Sequence, residues 1–289
     1  MKLNNSLIKI KIGGVPEHFN LPWALALEQR AFDSMGIELT WRDFPGGSGA
    51  MANALSDGEL DAALLLTEGA VAAIAGGALL KVTSLYTDSA LVWGIHVPAA
   101  SRFYSLAEVR GARYAISRQG SGSHLMAFVH ARAQGWPVEQ LAFVSVGNLA
   151  GAVDAFAAGS ADVFFWEKFM TKPLVDAGRF RRIGEFTAPW PAFVVCVADA
   201  VGSEQRAAIA RTVAVVLREA AALRARRDAP VLIAARYGLA APDVAAWLET
   251  TRWSERVEVT TADLAPACAA LSSLGVLPRA ITAAECLAT

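Results

Sequence analysis

Two short loops rich in glycine and serine carry the groups best suited to holding a small ligand. The loop FPGGSG places Ser48 and Gly49 at the start of a predicted helix, and RQGSGS places Ser121, Gly122 and Ser123 at the start of another. The first N–H groups of a helix lack acceptors within the helix, and the helix dipole favours negative charge there. We therefore expect both loops to bind an anionic or polar group. The alternative is that each loop is only an N-cap.

A third polar loop, GVPEHFN, follows the first predicted strand, IKIKI. Open α/β sheets bind ligands at the carboxyl ends of their strands. We therefore expect Glu17, His18 and Asn20 to contact a ligand, with an exposed polar turn as the alternative.

Two further predicted strands end at a carboxylate with few charges nearby. Each short apolar run is followed or closed by one of these pairs: Thr67-Glu68 and Trp166-Glu167. The carboxylates are placed to accept a hydrogen bond from an ammonium group or a ring N–H, or to pair with an arginine such as Arg118. Three tryptophans are candidates for flat walls of the site: Trp93, Trp166 and Trp190. A tryptophan in an apolar run is, however, more often part of the core.

Motifs for catalysis are lacking. The segment GGSGA at residues 46–50 departs from G-x-S-x-G in its last position, and neither a dinucleotide-binding nor a P-loop glycine pattern is present. The histidines do not occur at H-E-x-x-H spacing, so we expect no metal and no cofactor. A binding protein is favoured over an enzyme. The alternative is an enzyme that uses Glu68, Glu167 or His18 as acid and base.

The cysteines Cys196, Cys268 and Cys286 are odd in number and widely spaced, with no C-x-x-C. This pattern predicts neither a disulfide framework nor a structural zinc site. Cys196 lies in FVVCVAD and is expected to be a small buried hydrophobic residue.

A repeated pattern indicates how the chain positions these groups. In ANALSDGELD and DAFAAGSAD, an alanine, a large apolar residue, a glycine and an aspartate recur with an offset of 101 residues. Gly58 and Gly159 suit the left-handed residue that closes a helix, and apolar runs that predict buried strands follow each copy. Each copy therefore predicts a helix, a glycine stop and a strand. Two such α/β lobes facing one another would form a cleft, where small ligands bind.

Composition narrows the class of protein. The chain has 289 residues, 54% of them hydrophobic, and a formal net charge of −1. A neutral balance argues against a nucleic-acid partner, and no apolar run reaches the length of a bilayer span. The start, MKLNNSLIKIKIGGVP, lacks the apolar core of a secretory signal, so a cytoplasmic location is expected, or a periplasmic one if a signal has been removed.

Several segments together resemble the type II periplasmic-binding-protein superfamily, in its branch of nitrate, sulfonate, taurine and thiamine-pyrimidine-synthesis-like proteins. They are GGVPEHFNLPW, FPGGSGAMANALSDGELDAALLLTEGA, SLAEVRGARYAISRQGSGSH, GSADVFFWEKF and LSSLGVLP. The resemblance implies a two-lobed α/β fold, each lobe a mixed sheet flanked by helices, with two crossover hinge strands. The crossovers would lie near residues 86–93 and 186–193.

The same resemblance implies lobe boundaries and further site residues. Residues 1–90 and 188–289 would form the first lobe, including the C-terminal helices, and residues 91–187 the second. Pro16 and His124 would join the ligand contacts, beside the residues named above. Exported members begin with a signal, which this chain does not show, and the pyrimidine-synthesising enzymes carry a dense cysteine cluster that three scattered cysteines do not reproduce.

These observations predict a solute-binding protein that closes two lobes on a small polar ligand, anionic or zwitterionic, heterocyclic or sulfonate-like. An ABC permease is the implied protein partner, and a monomer or weak dimer is expected, with neither nucleic-acid binding nor membrane insertion. The alternatives are a cytoplasmic lyase or synthase of cofactor biosynthesis and a ligand sensor on the same fold.

Overall fold

The computed structural model describes residues 7–288, so the outermost parts of the predicted lobe ranges, residues 1–6 and 289, lie outside it. The strands are β1 (Ile8–Gly14), β2 (Ile37–Asp43), β3 (Ala62–Leu66), β4 (Leu80–Pro98), β5 (Arg113–Ile116), β6 (Ala142–Ser145), β7 (Val163–Glu167) and β8 (Phe180–Ala198). The helices are α1 (Leu21–Glu28), α2 (Ser48–Ser56), α3 (Thr67–Ala75), α4 (Gly122–Ala133), α5 (Leu149–Ala157), α6 (Lys172–Asp176), α7 (Ser203–Ala225), α8 (Ala229–Tyr237), α9 (Ala241–Thr250), α10 (Thr261–Leu274) and α11 (Ala283–Cys286).

The strands form one eight-stranded mixed sheet in the order β2-β1-β3-β8-β4-β7-β5-β6. In the first half of the sheet, β1 pairs in parallel with β2 and β3, and in the second half β5 pairs in parallel with β6 and β7. The two halves are joined by β8, which is antiparallel to β3, and β4, which is antiparallel to β7. This arrangement confirms the predicted two-lobed α/β fold with two crossover strands.

The crossover strands β4 and β8 are 19 residues long each and pair with one another along most of their length. The predicted crossover positions lie inside them. Shifts of register in this pairing fall between Val82 and Val92, with one more at Ile95. Such bulges bend a strand and increase its local twist, which allows one strand to serve two sheet halves. The lobe boundaries after residues 90 and 187 also fall inside these strands, and they stay a prediction.

The 101-residue repeat has a structural basis in both halves. α2 and α5 each end before a glycine with positive φ, Gly58 at 73° and Gly159 at 65°. The aspartate that follows accepts a hydrogen bond from the first strand of its own half. Asp61 Oδ2 accepts from Lys11 N at 2.7 Å, and Asp162 Oδ2 accepts from Arg113 N at 2.9 Å. The repeat therefore encodes the predicted helix, glycine stop and strand, and the structure adds that its aspartate anchors a neighbouring strand.

Helices cover the sheet and bury its core. α7 packs against α1, β1 and β4 through a buried apolar face that includes Ile209, Val213, Val216 and Leu223. Gly202 is the N-cap of this helix, and Ser203 is its first residue. α10 packs against α3, α4 and β8.

Within residues 7–288, no single helix is long and apolar enough to cross a membrane; α8 and α9 pass that test only as a pair bent by 115°.

The glycine stop generates a stability prediction. Gly159→Ser should lower the free energy of unfolding by roughly 1–2 kcal/mol, because an L-residue is strained in the left-handed conformation. Gly202→Ser is the matched control: Gly202 caps α7 at φ −71°, where serine is favoured, so its stability should be unchanged or slightly higher. Urea unfolding of both variants measures the difference, and equal losses would contradict the assignment.

Candidate functional site

A cavity lies between the two halves of the sheet, and residues of both halves line it. Its volume is about 50 Å³. The lining consists of Val15, Glu17, Gly46, Gly47, Ser48, Leu66, Leu91, Trp93, Ser117, Arg118, Ser121, Gly122, Ser123, Trp166, Glu167 and Phe193. This volume is several times the minimum for one water molecule and far below that of a pocket for a drug-sized ligand. Only a compact solute, or the compact end of one, fits without movement of the halves.

The loop after β1 contributes Val15 and Glu17 to the cavity, but not Pro16, His18 or Asn20. Asn20 donates from Nδ2 to the Val15 carbonyl at 2.8 Å and so braces the loop. His18 is fully buried against Trp247, with ring centroids 4.1 Å apart, and points into the core under α9. Pro16 lines a neighbouring groove beside Leu149 and Met170. Of the residues predicted in this loop, only Glu17 reaches the cavity.

The start of α2 lines the cavity from the first half. Ser48 is buried, and its Oγ accepts a hydrogen bond from Leu66 N at 2.9 Å, which ties the helix start to the end of β3. Gly49 faces Arg118: a Cβ at this position would lie 2.6 Å from the Arg118 Nε. Ser48 therefore lines the cavity as predicted, whereas Gly49 packs at its outer side.

The start of α4 lines the cavity from the second half. Ser121 caps the helix, and its Oγ lies 3.1 Å from the Oγ of Ser123, which accepts from Ser117 N at 3.0 Å. His124 Nδ1 accepts from Gly120 N at 3.0 Å. His124 braces the loop behind the cavity and does not line it. The predicted residues Ser121, Gly122 and Ser123 all do.

The two loops touch across the cavity. Arg118, from the second half, donates from Nη1 to the Gly46 carbonyl of the first half. A Cβ on Gly122 would lie 2.5 Å from Leu66 Cδ1 and 2.9 Å from the Trp93 ring. The first contact uses a backbone carbonyl, and the second leaves no room for a side chain at Gly122. The two halves are therefore in close contact here.

Two carboxyl groups from opposite halves also meet at the cavity. Glu167 Oε2 accepts from the N–H groups of Phe169 at 2.8 Å and Met170 at 2.7 Å, and nothing within the described chain donates to its Oε1. Burial raises the pKa of Glu167 to about 8, with the charge of Glu17 adding to the rise. Burial likewise raises the pKa of Glu17 to about 7, against the opposing effect of the Trp166 indole. Across residues 7–288, neither carboxylate forms an ion pair with Arg118.

Thr67, Glu68 and Trp190 were predicted to contact ligand, but the structure places them beside the cavity, in the core. Thr67 Oγ1 donates to the Pro191 carbonyl at 2.5 Å, and Trp190 Nε1 donates to Glu68 Oε2 at 2.8 Å. These bonds hold the start of α3 to the crossover strand β8. Thr67 and Glu68, which directly follow β3, thus hold the two halves together and do not contact the cavity.

Other residues at the cavity are absent from the sequence prediction. Leu91 and Phe193 come from the middle of the crossover strands, and Val15, Leu66 and Ser117 end strands or begin loops. Leu66 is the last residue of β3, and Ser117 directly follows β5. Their position at a strand end was therefore the available signal for both. Apolar residues inside a long strand give no such signal.

The histidines do not reach the cavity. Burial lowers the pKa of His18 to about 3 and those of His96, His124 and His130 to about 4, so all four are neutral at neutral pH. Among the residues that the structure describes, no group of three or more His, Cys, Asp and Glu side chains could hold a metal ion.

The buried Glu68 generates a pH prediction. Burial raises its pKa from 4.5 to about 7, so its contribution to stability is complete below pH 4.5 and is lost as pH rises through 7. Between about pH 5 and 8, this one group should lower the free energy of unfolding by about 3 kcal/mol. Glu68→Gln should remove that part of the pH dependence, and the exposed Glu249→Gln should not. Urea unfolding at several pH values measures it; identical profiles for all three proteins would contradict the assignment.

Comparison with known proteins relates this geometry to a fold family. A family model described as "Ca3427-like PBP" matches residues 93–186, which include the second loop and β5 to β7. No protein with a curated description matches the chain by sequence.

Solved structures match nearly the whole chain. The Candida albicans CA3427 gene product has a TM-score of 0.90 at 24% identity, covering 98% of this chain and 96% of that one. The alkanesulfonate-binding protein SsuA from Xanthomonas axonopodis pv. citri, bound to MOPS, has a TM-score of 0.82 at 19% identity, with coverage of 97% and 98%. A ligand-binding component of an ABC-type import system from Staphylococcus aureus has a TM-score of 0.75 at 11% identity, with coverage of 97% and 96%. With this sheet topology and these neighbours, the chain has the periplasmic-binding-protein fold.

Proposed function

We propose that this protein binds a small zwitterionic solute in the cavity and that the two halves close on it. The observation that carries the proposal is the pairing of opposite recognition chemistries on one cavity. Two helix starts and Arg118 supply positive potential, and Glu17 and Glu167 supply negative charge. A solute with one anionic and one cationic end matches both.

The anionic end would bind at the helix starts. α2 and α4 both begin at the cavity, one from each half, and the first N–H groups of each helix lack acceptors within the helix. The helix dipoles add positive potential at these ends. The hydroxyls of Ser121 and Ser123 bond within their own loop, and that of Ser48 bonds to Leu66 N at the end of β3, so their role is to hold the helix starts in place.

The cationic end would bind between Glu17 and Glu167. When both carboxylates are ionised, they repel one another, and because they come from opposite halves this repulsion opposes closure. An ammonium group between them would replace repulsion with two attractive contacts. Closure would then depend on the ligand, because only the closed form brings both carboxylates to the cation.

The structural neighbours support a binding role, since SsuA and the Staphylococcus component are described as binding proteins. One observation favours the enzyme alternative: Glu167 has a raised pKa and faces the cavity, as a general acid would. His18 and Glu68, the other groups of that alternative, do not reach it. Recovery of the ligand chemically unchanged after prolonged incubation would support binding, whereas turnover would support the enzyme.

A membrane permease as partner, a monomeric or weakly dimeric state and the cytoplasmic location stay predictions. Co-purification with a membrane fraction that contains the permease tests the partner. Cell fractionation tests the location.

A matched pair of ligands tests the zwitterion proposal. The protein should bind 2-aminoethanesulfonate more tightly than ethanesulfonate, which lacks the ammonium group. Glu167→Gln should weaken binding of the aminosulfonate by roughly 10- to 100-fold, the value of a charge-assisted hydrogen bond, and leave ethanesulfonate binding unchanged. Isothermal titration calorimetry measures both, with the exposed Glu249→Gln as control. Equal affinities of wild type for the two sulfonates would refute the role given to the carboxylates.

A second prediction concerns closure. Gly122→Val should weaken ligand binding strongly, because its side chain would overlap Leu66 and Trp93 and hold the halves apart. Small-angle scattering should show that ligand contracts wild type but not the variant. Gly202→Val, at a glycine with open space around it, is the control and should close normally. Ligand-driven contraction of Gly122→Val would show that this contact does not govern closure.

A further inference from the structure

Two cysteines that are 18 residues apart in the chain lie side by side in the fold. The Cys268 Sγ, on α10, is 3.9 Å from the Cys286 Sγ, the last residue of α11. Both residues are buried, and both thiols are free. The sequence spacing gave no sign of this contact.

Several bonds fix Cys286 in this position. Thr282 and Glu285 form a capping box at the start of α11, and Arg279 forms an ion pair with Glu285 at 2.7 Å. Lys81 donates from Nζ to the Glu285 carbonyl at 2.5 Å. Beyond α11, Leu287 forms a bridge with Val82 of β4. The segment of residues 283–288, here called the C-terminal segment, is therefore docked between α10 and β4.

The third cysteine does not share the contact. Cys196 is buried in β8, opposite Val82, and its thiol has no hydrogen-bonding partner within residues 7–288. The two thiols of the pair, in contrast, are not equivalent: their contact lowers the pKa of Cys268 and raises that of Cys286. Cys268 is thus the sulfur that more readily becomes a thiolate, which is the reactive form.

We propose that Cys268 and Cys286 form a reversible disulfide that cross-links α10 to the C-terminal segment. A disulfide requires a distance of about 2.05 Å between the sulfurs. The present distance of 3.9 Å needs side-chain rotation and a small approach of α11, which is a short, partly exposed helix at the chain end. The proposal is independent of the ligand proposal, because neither cysteine lines the cavity.

The reaction balances with a low-molecular-weight disulfide, such as oxidised glutathione, as the oxidant. The Cys268 thiolate attacks one sulfur of the oxidant, and one thiolate leaves. Cys286 then loses its proton and attacks the Cys268 sulfur of the mixed disulfide, and the second thiolate leaves. The protein loses two electrons and two protons, and the oxidant becomes two thiols. Because both sulfurs are buried, the first step requires transient undocking of the C-terminal segment.

The cross-link would stabilise the fold. It closes a loop between α10 and α11 and reduces the conformational freedom of the unfolded chain. A loop of this length should raise the melting temperature on the order of 5 °C. α10 also packs against α3 and α4, whose starts lie at the joint and at the cavity, so the cross-link would tie the chain end to a helix that contacts both halves.

The test is oxidation of the full chain with oxidised glutathione, followed by denaturation, alkylation and mass spectrometry. Of the three thiols, one should remain alkylatable, a peptide containing Cys268 linked to Cys286 should appear, and dithiothreitol should restore all three. The melting temperature should rise on oxidation and fall back on reduction. Cys196→Ser should behave as wild type, while Cys268→Ser and Cys286→Ser should form no cross-link and show no rise.

Three results would overturn the proposal: three alkylatable thiols after oxidation, a stable glutathione adduct without a cross-link, or a cross-link that involves Cys196. If a serine variant fails to fold, the peptide map of the oxidised wild type is sufficient, because it distinguishes the Cys268–Cys286 cross-link from each of these three results.

Discussion

The pairing of β4 with β8 is the constraint on which the rest of the molecule depends. Each strand belongs to both halves of the sheet, so the pairing fixes where the carboxyl ends of β1, β3, β5 and β7 meet. Bulges concentrated in the first part of β4 let the strands bend where they pass from one half to the other. The hydrogen bonds from Thr67 to the Pro191 carbonyl and from Trp190 to Glu68 hold the start of α3 against β8. The cavity exists because this joint brings two equivalent loops face to face.

The charges at the cavity divide between the halves in a way that suits closure. Arg118 already bridges the halves through a backbone carbonyl, which carries no charge. Glu17 and Glu167, in contrast, are two buried carboxyl groups that repel one another when both are ionised, and the charge of Glu17 helps to raise the pKa of Glu167. Attraction and repulsion therefore act at the same boundary, and the balance between them is set by what lies between the two carboxyls.

The helices and strands around the repeat could be predicted from the sequence because the backbone there requires particular residue types at fixed positions. Gly58 and Gly159 must adopt positive φ, and Asp61 and Asp162 must anchor the first strand of each half, so both are visible as residue types at fixed spacing. The side chains of the site were harder to predict. A strand end specifies an edge, but it does not show that Glu68 turns to Trp190 while Glu167 faces the cavity. Residues of distant segments that come together, such as Leu91 and Phe193 at the cavity or Cys268 and Cys286, leave no local pattern in the sequence.

The cavity walls give the protein an optical property. Two of its eight tryptophans, Trp93 and Trp166, line the cavity between the halves, and Trp93 is only 3% exposed. If the halves part, the Trp93 indole passes from an apolar environment into water, which shifts indole fluorescence to longer wavelength. Trp93 is thus placed to report a separation of the halves through its own emission, without an attached dye.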